Sequence, residues 1–131
     1  MVDRITILMA DDDDDDYFLA KESLRANNSV AALIRVEDGI ELLNYLSGND
    51  FPDLIILDLN MPRKDGREAL AEIKGHPVFR QIPIVILSTS NVEADRSLAK
   101  EAGGILFLTK PSSFGKWVEM MGSIMQLALG M

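Results

Sequence analysis

The sequence predicts an α/β protein, a doubly wound sandwich of three layers built around a parallel sheet of five strands. Two observations lead to this prediction. Short, continuously apolar runs recur along the chain, and between them lie stretches whose apolar residues repeat at three- and four-residue steps. The apolar runs are typical of strands buried on both faces, and the periodic stretches are typical of helices that cover those faces. Because parallel crossovers are almost always right-handed, few topologies fit this order.

The predicted strands are apolar, are rich in β-branched residues and end at charged or polar residues. The run LIIL is the most apolar segment and is predicted to be central, and Pro83 introduces the run IVIL. The five predicted strands span residues 5–10, 30–36, 54–57, 84–87 and 105–109.

The predicted helices begin near Asp residues, which suit the positive end of a helix dipole and cap free N–H groups. The first spans residues 15–26, the second follows Asp38 and ends before Gly48, and the third runs from Asp65-Gly66 to residue 74. Their apolar stripes indicate the buried sides, which are Tyr17, Ala20 and Leu24 in the first helix and Ile40, Leu43 and Leu46 in the second.

Two further helices complete the alternation. A weaker pattern predicts a helix over residues 92–102, which the glycine pair at 103–104 ends. The last helix has the clearest periodicity of the chain. Its apolar positions are Phe114, Trp117, Val118, Met121, Ile124, Met125 and Ala128.

Length and charge exclude several classes of protein. A chain of 131 residues fits one domain, expected to span residues 1–131. Its net charge of −8 argues against nucleic acid and anionic membranes as partners. The sequence contains no cysteine, which excludes disulfides and thiolate metal sites, and no apolar run reaches the length of about 18 residues that a membrane span needs. We therefore expect a cytoplasmic protein.

Polar residues follow four of the predicted strands directly. Asp11 and Asp12 follow the first strand, Asp58 the third, Ser88 the fourth and Lys110 the fifth. Since the carboxyl ends of parallel strands lie at one edge of a sheet, these side chains are expected to meet there.

Three crowded carboxylates need a counter-charge, and oxygen ligands with room for water suit Mg²⁺. Mg²⁺ and Lys110 together would stabilise a phosphoryl group in transfer. The single histidine, His76, lies near a helix end away from this edge, and the chain has no phosphate loop of the GxxxxGK[ST] type. Asp58 as the nucleophile, forming an acyl phosphate, is the economical interpretation.

Four motifs in order resemble the CheY-like receiver domains of response regulators, which have the flavodoxin-like fold. They are ILMADD at residues 7–12, DLIILDLNMPRKDG at 53–66, IPIVILST at 82–89 and FLTKP at 107–111. The resemblance covers nearly the whole chain. The segments NMPRKDGREAL and IPIVILSTS look closest to small single-domain regulators paired with bacterial phytochrome-type histidine kinases.

The resemblance implies a role for each position of the edge. Asp58 would be the phosphoacceptor, Asp12 a direct Mg²⁺ ligand with Asp11 as its partner, and the backbone carbonyl of Asn60 a further ligand. Lys110 would pair with the phosphoryl oxygens, aimed by a cis bond to Pro111.

The resemblance also implies a switch. Ser88 would bind the phosphoryl group and move on activation, and Phe107 would follow by packing alone, since it lacks the phenol OH that is common there. The shift would change the surface of the fourth helix, the fifth strand and the last helix. A homodimer through this surface stays open as an alternative to another protein partner.

The function implied is that of a two-component response regulator, a signalling domain and not an enzyme. A histidine kinase or a histidine phosphotransfer protein would donate the phosphoryl group, and output would pass to a protein partner, since no effector domain is expected. Two alternatives stay open. A small Mg²⁺ phosphatase with an Asp nucleophile usually has a second acid two residues on, where this chain has Asn60. A pure binding module would need no phosphorylation.

The run of six aspartates also has a simpler interpretation. Asp11 and Asp12 are positioned by the strand, whereas Asp13 to Asp16 are expected to form a solvated loop and helix start. An alternative in which Asp13 lines the mouth of the site stays open.

Overall fold

A computed structural model of the chain describes residues 5–48, 50–89, 97, 100–101 and 106–130. The strands are β1 (Thr6–Ala10), β2 (Ala32–Val36), β3 (Leu54–Leu57), β4 (Ile84–Ser88) and β5 (Leu106–Thr109). The helices of the described residues are α1 (Asp14–Ala26), α2 (Gly39–Gly48), α3 (Gly66–Gly75) and α4 (Phe114–Leu129), with a short 3₁₀ helix at Phe79–Gln81.

The five strands form one parallel sheet in the order β2-β1-β3-β4-β5. The chain moves outward from β1 to β2 and then crosses back to β3, so the strand order reverses between β1 and β3. In open sheets of this kind, ligands bind at the carboxyl ends of the strands beside that reversal. The predicted fold class is confirmed.

Two cores flank the sheet, because alternate residues of a strand point to opposite faces. Leu8 and Ala10 of β1 belong to one core, which includes buried residues of α2 and α3. Ile7 and Met9 belong to the other, with buried residues of α1 and with Trp117 of α4. The structure therefore has the three predicted layers.

The predicted stripe of α2 is partly wrong. Leu46 is buried and Leu43 is half-buried, but Ile40 is 38% exposed and Leu42 is fully buried in its place. The neighbouring loop fixes the rotation of this helix. The N–H of Gly39 donates a hydrogen bond to the carbonyl of Lys64 over 2.8 Å, and a Cβ at Gly39 would lie 2.6 Å from that oxygen. Gly39 must therefore face the loop, and Ile40 turns outward.

The helix predicted over residues 92–102 lies for the most part outside the described residues, although positions 97, 100 and 101 are helical. In the described part of the chain, no helix combines the length and the apolarity that crossing a membrane requires.

Candidate functional site

The backbone hydrogen bonds between neighbouring strands continue for one residue beyond the ends of β3 and β5. The N–H of Asp58 donates to the carbonyl of Ala10 over 3.0 Å, and the N–H of Lys110 donates to the carbonyl of Ser88 over 2.9 Å. Asp58 and Lys110 are therefore held by the rigid sheet as well as by their loops. The structure brings together the side chains that the sequence predicts at this edge.

Three carboxylates form a cluster beside the reversal of strand order. Asp11, Asp12 and Asp58 each offer an oxygen within 4.8 Å of the other two. Asp11 is 1% exposed and Asp58 is 4% exposed, whereas Asp12 is open to solvent. The buried Oδ2 atom of Asp11 accepts no hydrogen bond among the described residues. A buried oxygen without a donor, in an all-oxygen cluster, fits a divalent metal ion with ligand positions left for water.

Burial and mutual repulsion disfavour the charged forms of the two buried carboxylates. Burial raises the pKa of Asp11 to about 7, and the charges of Asp58 and Asp16 add to this rise. A hydrogen bond from the N–H of Asp13, over 2.9 Å, and the charge of Lys110 oppose the rise without offsetting it. The cluster therefore holds more negative charge than its lysine neutralises.

Burial also raises the pKa of Asp58, and the charge of Asp12 acts in the same direction. The N–H of Asn60 donates to Asp58 Oδ1 over 3.0 Å and, together with Lys110, lowers this pKa without cancelling the effect of burial. The hydrogen bond also fixes the rotation of the carboxylate, because the two donors hold different oxygens.

Lys110 reaches from the end of β5 into the cluster and contacts three carboxylates. Its Nζ atom donates hydrogen bonds to Asp16 Oδ2 over 2.5 Å and to Asp58 Oδ2 over 3.0 Å. Asp11 Oδ2 lies 3.1 Å away, in an ion pair without hydrogen-bond geometry. Burial by itself would lower the pKa of Lys110, but the hydrogen bond to Asp16 and the charges of Asp11 and Asp58 outweigh it and raise that pKa.

The interpretation of the acidic run as a solvated segment is wrong for Asp16. Its side chain is 16% exposed and pairs with Lys110. Asp13 instead caps α1, accepting hydrogen bonds from the N–H groups of Asp15 and Asp16. Asp14 pairs with Arg35 over 2.6 Å at the rim. The helix start is confirmed, and the alternative role of Asp13 at the mouth of the site gains no support from this capping.

The sequence does contain a signal for Asp16. Asp16 lies four residues before Ala20 and eight before Leu24, which are two of the three buried residues of α1. A helix places residues at that spacing on one face. Asp16 therefore continues the buried stripe of α1 to the edge of the sheet.

The loop after β3 holds Asn60 over the cluster. Asn60 Nδ2 donates to Ser88 Oγ over 3.3 Å, which joins the ends of β3 and β4. Gly66 closes the loop, and its N–H donates to the carbonyl of Leu59. A Cβ at Gly66 would lie 2.1 Å from the carbonyl oxygen of Asp58, so this close approach requires glycine.

The predicted cis bond between Lys110 and Pro111 is wrong, since the described residues contain no cis peptide bond. The trans form is the lower in energy by about 0.5–1 kcal/mol for a bond to proline. Lys110 reaches Asp58 in this form, held by its ion pairs.

Phe107 is half-buried and packs against the core on the side of α2 and α3, and Ser88 is fully buried.

Comparisons with known proteins agree on one family. Residues 7–121 match the model of the response regulator receiver domain. The chain is 36% identical over 124 residues to the response regulator Rcp1 of Synechocystis sp., which covers 90% of this chain and 84% of Rcp1. The solved structure of the phosphorylated cyanobacterial phytochrome response regulator RcpA has a TM-score of 0.90 and 34% identity, covering 97% of this chain and 95% of that one. The Mn²⁺-bound form of response regulator Rcp1 has a TM-score of 0.86 and 35% identity, covering 94% and 93%.

Proposed function

The chain belongs to the family of response regulator receiver domains, and from this premise we propose that Asp58 accepts a phosphoryl group from a phosphohistidine donor. One observation carries the assignment. Asp58 is a buried carboxylate that lies within the three-carboxylate cluster and accepts hydrogen bonds from both Lys110 and Asn60. The two buried carboxylates and the lysine thus surround the place where a phosphoryl group would bind.

Asp11, Asp12, Asp58 and the backbone carbonyl of Asn60 would hold Mg²⁺. When bound, the ion neutralises charge on the phosphoryl oxygens. An Asp58 oxygen attacks phosphorus, the bond from phosphorus to the imidazole nitrogen breaks, and its electron pair stays on that nitrogen. The N–H of Asn60 orients the Asp58 carboxylate during this step, and Lys110 stabilises the charge that develops on the transferred group.

Ser88 and Phe107 would carry the signal away from the site. The Ser88 hydroxyl, which accepts from Asn60 Nδ2, turns to donate to a phosphoryl oxygen, and Phe107 repacks toward the core that it already touches. Phosphorylation thereby shifts a population between two states. The output surface comprises the helix predicted over residues 92–102, β5 and α4, and either a protein partner or a second copy would bind there.

The proposed donor is a histidine kinase of the phytochrome type. The support is the likeness of this chain to RcpA, whose structure is described as that of a cyanobacterial phytochrome response regulator. A phytochrome-type histidine kinase should therefore phosphorylate the chain faster than a chemotaxis histidine kinase does. The extent of the domain over residues 1–131 and the cytoplasmic location stay predictions.

Incubation with acetyl phosphate and Mg²⁺ tests the assignment. The intact mass should increase by one phosphoryl group, and borohydride reduction should convert residue 58 to homoserine, which peptide mapping locates. Asp58→Asn should abolish the increase, and Asp50→Asn, which removes an exposed carboxylate, should leave it unchanged. Undiminished labelling of Asp58→Asn would rule out Asp58 as the acceptor. Steady turnover of phosphoesters would favour the phosphatase instead.

A further inference from the structure

Asp16 is the nearest of the three carboxylates around the Lys110 ammonium. The distance of 2.5 Å from Lys110 Nζ to Asp16 Oδ2 is shorter than the 3.0 Å to Asp58 and the 3.1 Å to Asp11. The Lys110 side chain is 10% exposed and that of Asp16 is 16% exposed, so water screens the contact poorly. Asp16 also lies in the first turn of α1, one turn before the fully buried Ala20. The helix therefore fixes its position.

This contact opposes the chemistry of the site. Lys110 can stabilise a phosphoryl group on Asp58 only if its ammonium turns donors toward the phosphoryl oxygens. An acyl phosphate replaces the charge of the Asp58 carboxylate and carries at most about two negative charges, so the cluster, which also contains Asp11, Asp12 and Asp16, gains at most about one. Asp16 holds the lysine most tightly, and it is the carboxylate of this set that lies outside the three-carboxylate cluster.

We propose that Asp16 is a positioning residue that holds Lys110 in the unphosphorylated protein and competes with the phosphoryl group for it. The inference rests on the proposed function and deepens it, since it concerns how readily the same site accepts phosphate. Asp16 thereby keeps the unphosphorylated state populated and couples the first turn of α1 to the state of Asp58. Removing its charge frees the lysine.

Asp16→Asn tests the competition, and Asp15→Asn is the matched control. Asp15 lies in the same turn of α1 and is exposed. The Asp15→Asn substitution therefore removes the same charge from the helix without removing a contact to Lys110. With beryllofluoride as the phosphoryl mimic in saturating Mg²⁺, Asp16→Asn should bind about tenfold more tightly than wild type, because a charge-assisted hydrogen bond becomes a neutral one. Its rate of labelling by acetyl phosphate should rise in parallel. Asp15→Asn should change either quantity by less than about twofold.

A purely structural role for Asp16 would give a different pattern. Loss of packing would weaken both Mg²⁺ and beryllofluoride binding, whereas lost competition strengthens beryllofluoride binding and does not strengthen Mg²⁺ binding. Asp16→Ala provides a second variant and should show the same split. Beryllofluoride affinities of Asp16→Asn and Asp16→Ala at or below that of Asp15→Asn would overturn the proposal. If wild type takes up no phosphate at all, the proposed function fails instead.

Discussion

Without divalent metal, the free energy of unfolding should fall as the pH rises from about 4 to about 7. The reason is the pKa of Asp11, which burial raises from 3.8 to about 7 in the folded protein. Between these two values the folded state binds more protons at this group than the unfolded state does. A rise in pH therefore favours unfolding. The pKa of Asp58 is raised as well and contributes with the same sign.

The size of the effect follows from the Asp11 shift. A difference of one pKa unit corresponds to about 1.36 kcal/mol, so a rise from 3.8 to about 7 gives an upper limit of about 4 kcal/mol. That is a large part of the free energy of unfolding of a typical domain, which is roughly 5–15 kcal/mol. Mg²⁺ should offset much of this loss, because it binds the deprotonated carboxylates. At about 100 times its dissociation constant it adds about 2.7 kcal/mol.

Urea unfolding at several pH values measures this dependence directly. Trp117, the single tryptophan, is fully buried and reports unfolding by its fluorescence. Each series is run in EDTA and in excess Mg²⁺. Asp11→Asn is the control, since it lacks the titrating group and should flatten the EDTA profile toward the contribution of Asp58. A wild-type profile in EDTA that is flat or rises between about pH 4 and 7 would refute the reasoning that the buried carboxylates are under-compensated.

Two further predictions concern the loops that hold the site. Gly66→Ala places a Cβ 2.1 Å from the Asp58 carbonyl, and so should destabilise the protein by at least about 1–3 kcal/mol and slow acetyl phosphate labelling. Gly75→Ala, at an open position of the same helix, should do neither. Burial raises the pKa of Asp38, but hydrogen bonds from the Glu41 N–H and from Arg63 outweigh it and leave that pKa lowered. The stability that Asp38 contributes is therefore present above its unfolded pKa of about 3.9 and lost as the pH falls through the folded value, so the deficit of Asp38→Asn in urea unfolding should shrink in acid. A deficit that stays constant with pH would show that the charge of Asp38 contributes nothing.

The sequence predicts the sheet and most of the site because both depend on local patterns. A run such as LIIL has few alternatives to a buried strand, and a polar residue directly after it must lie at the edge of the sheet. Asp58 and Lys110 could be placed in this way. The contact between Asp16 and Lys110 could not, because it joins residues 94 positions apart and depends on how α1 rotates against the sheet.

The exposed position of Ile40 could not be predicted from the sequence for a similar reason. The apolar stripe of α2 fits more than one rotation of the helix about its axis, and a sequence pattern does not choose between them. The choice comes from the close contact of Gly39 with the Lys64 carbonyl, a residue of another loop. The rotation of a helix about its axis and the direction of a lysine side chain depend on tertiary contacts. The end of a strand, in contrast, can be predicted from the local sequence.

The order of the strands explains why the proposed acceptor follows β3 and no other strand. β3 lies between β1 and β4, so Asp58 has the acidic pair of β1 on one side and Ser88 of β4 on the other. Lys110 comes from β5, at the edge of the sheet, and must extend past the end of β4 to reach Asp58. The ion pairs of Lys110 fix the direction of this long side chain, and Asp16 of α1 makes the shortest of them. The same topology that gathers the residues of the proposed phosphorylation site thus brings the lysine within reach of Asp16, the carboxylate that we propose competes with phosphate.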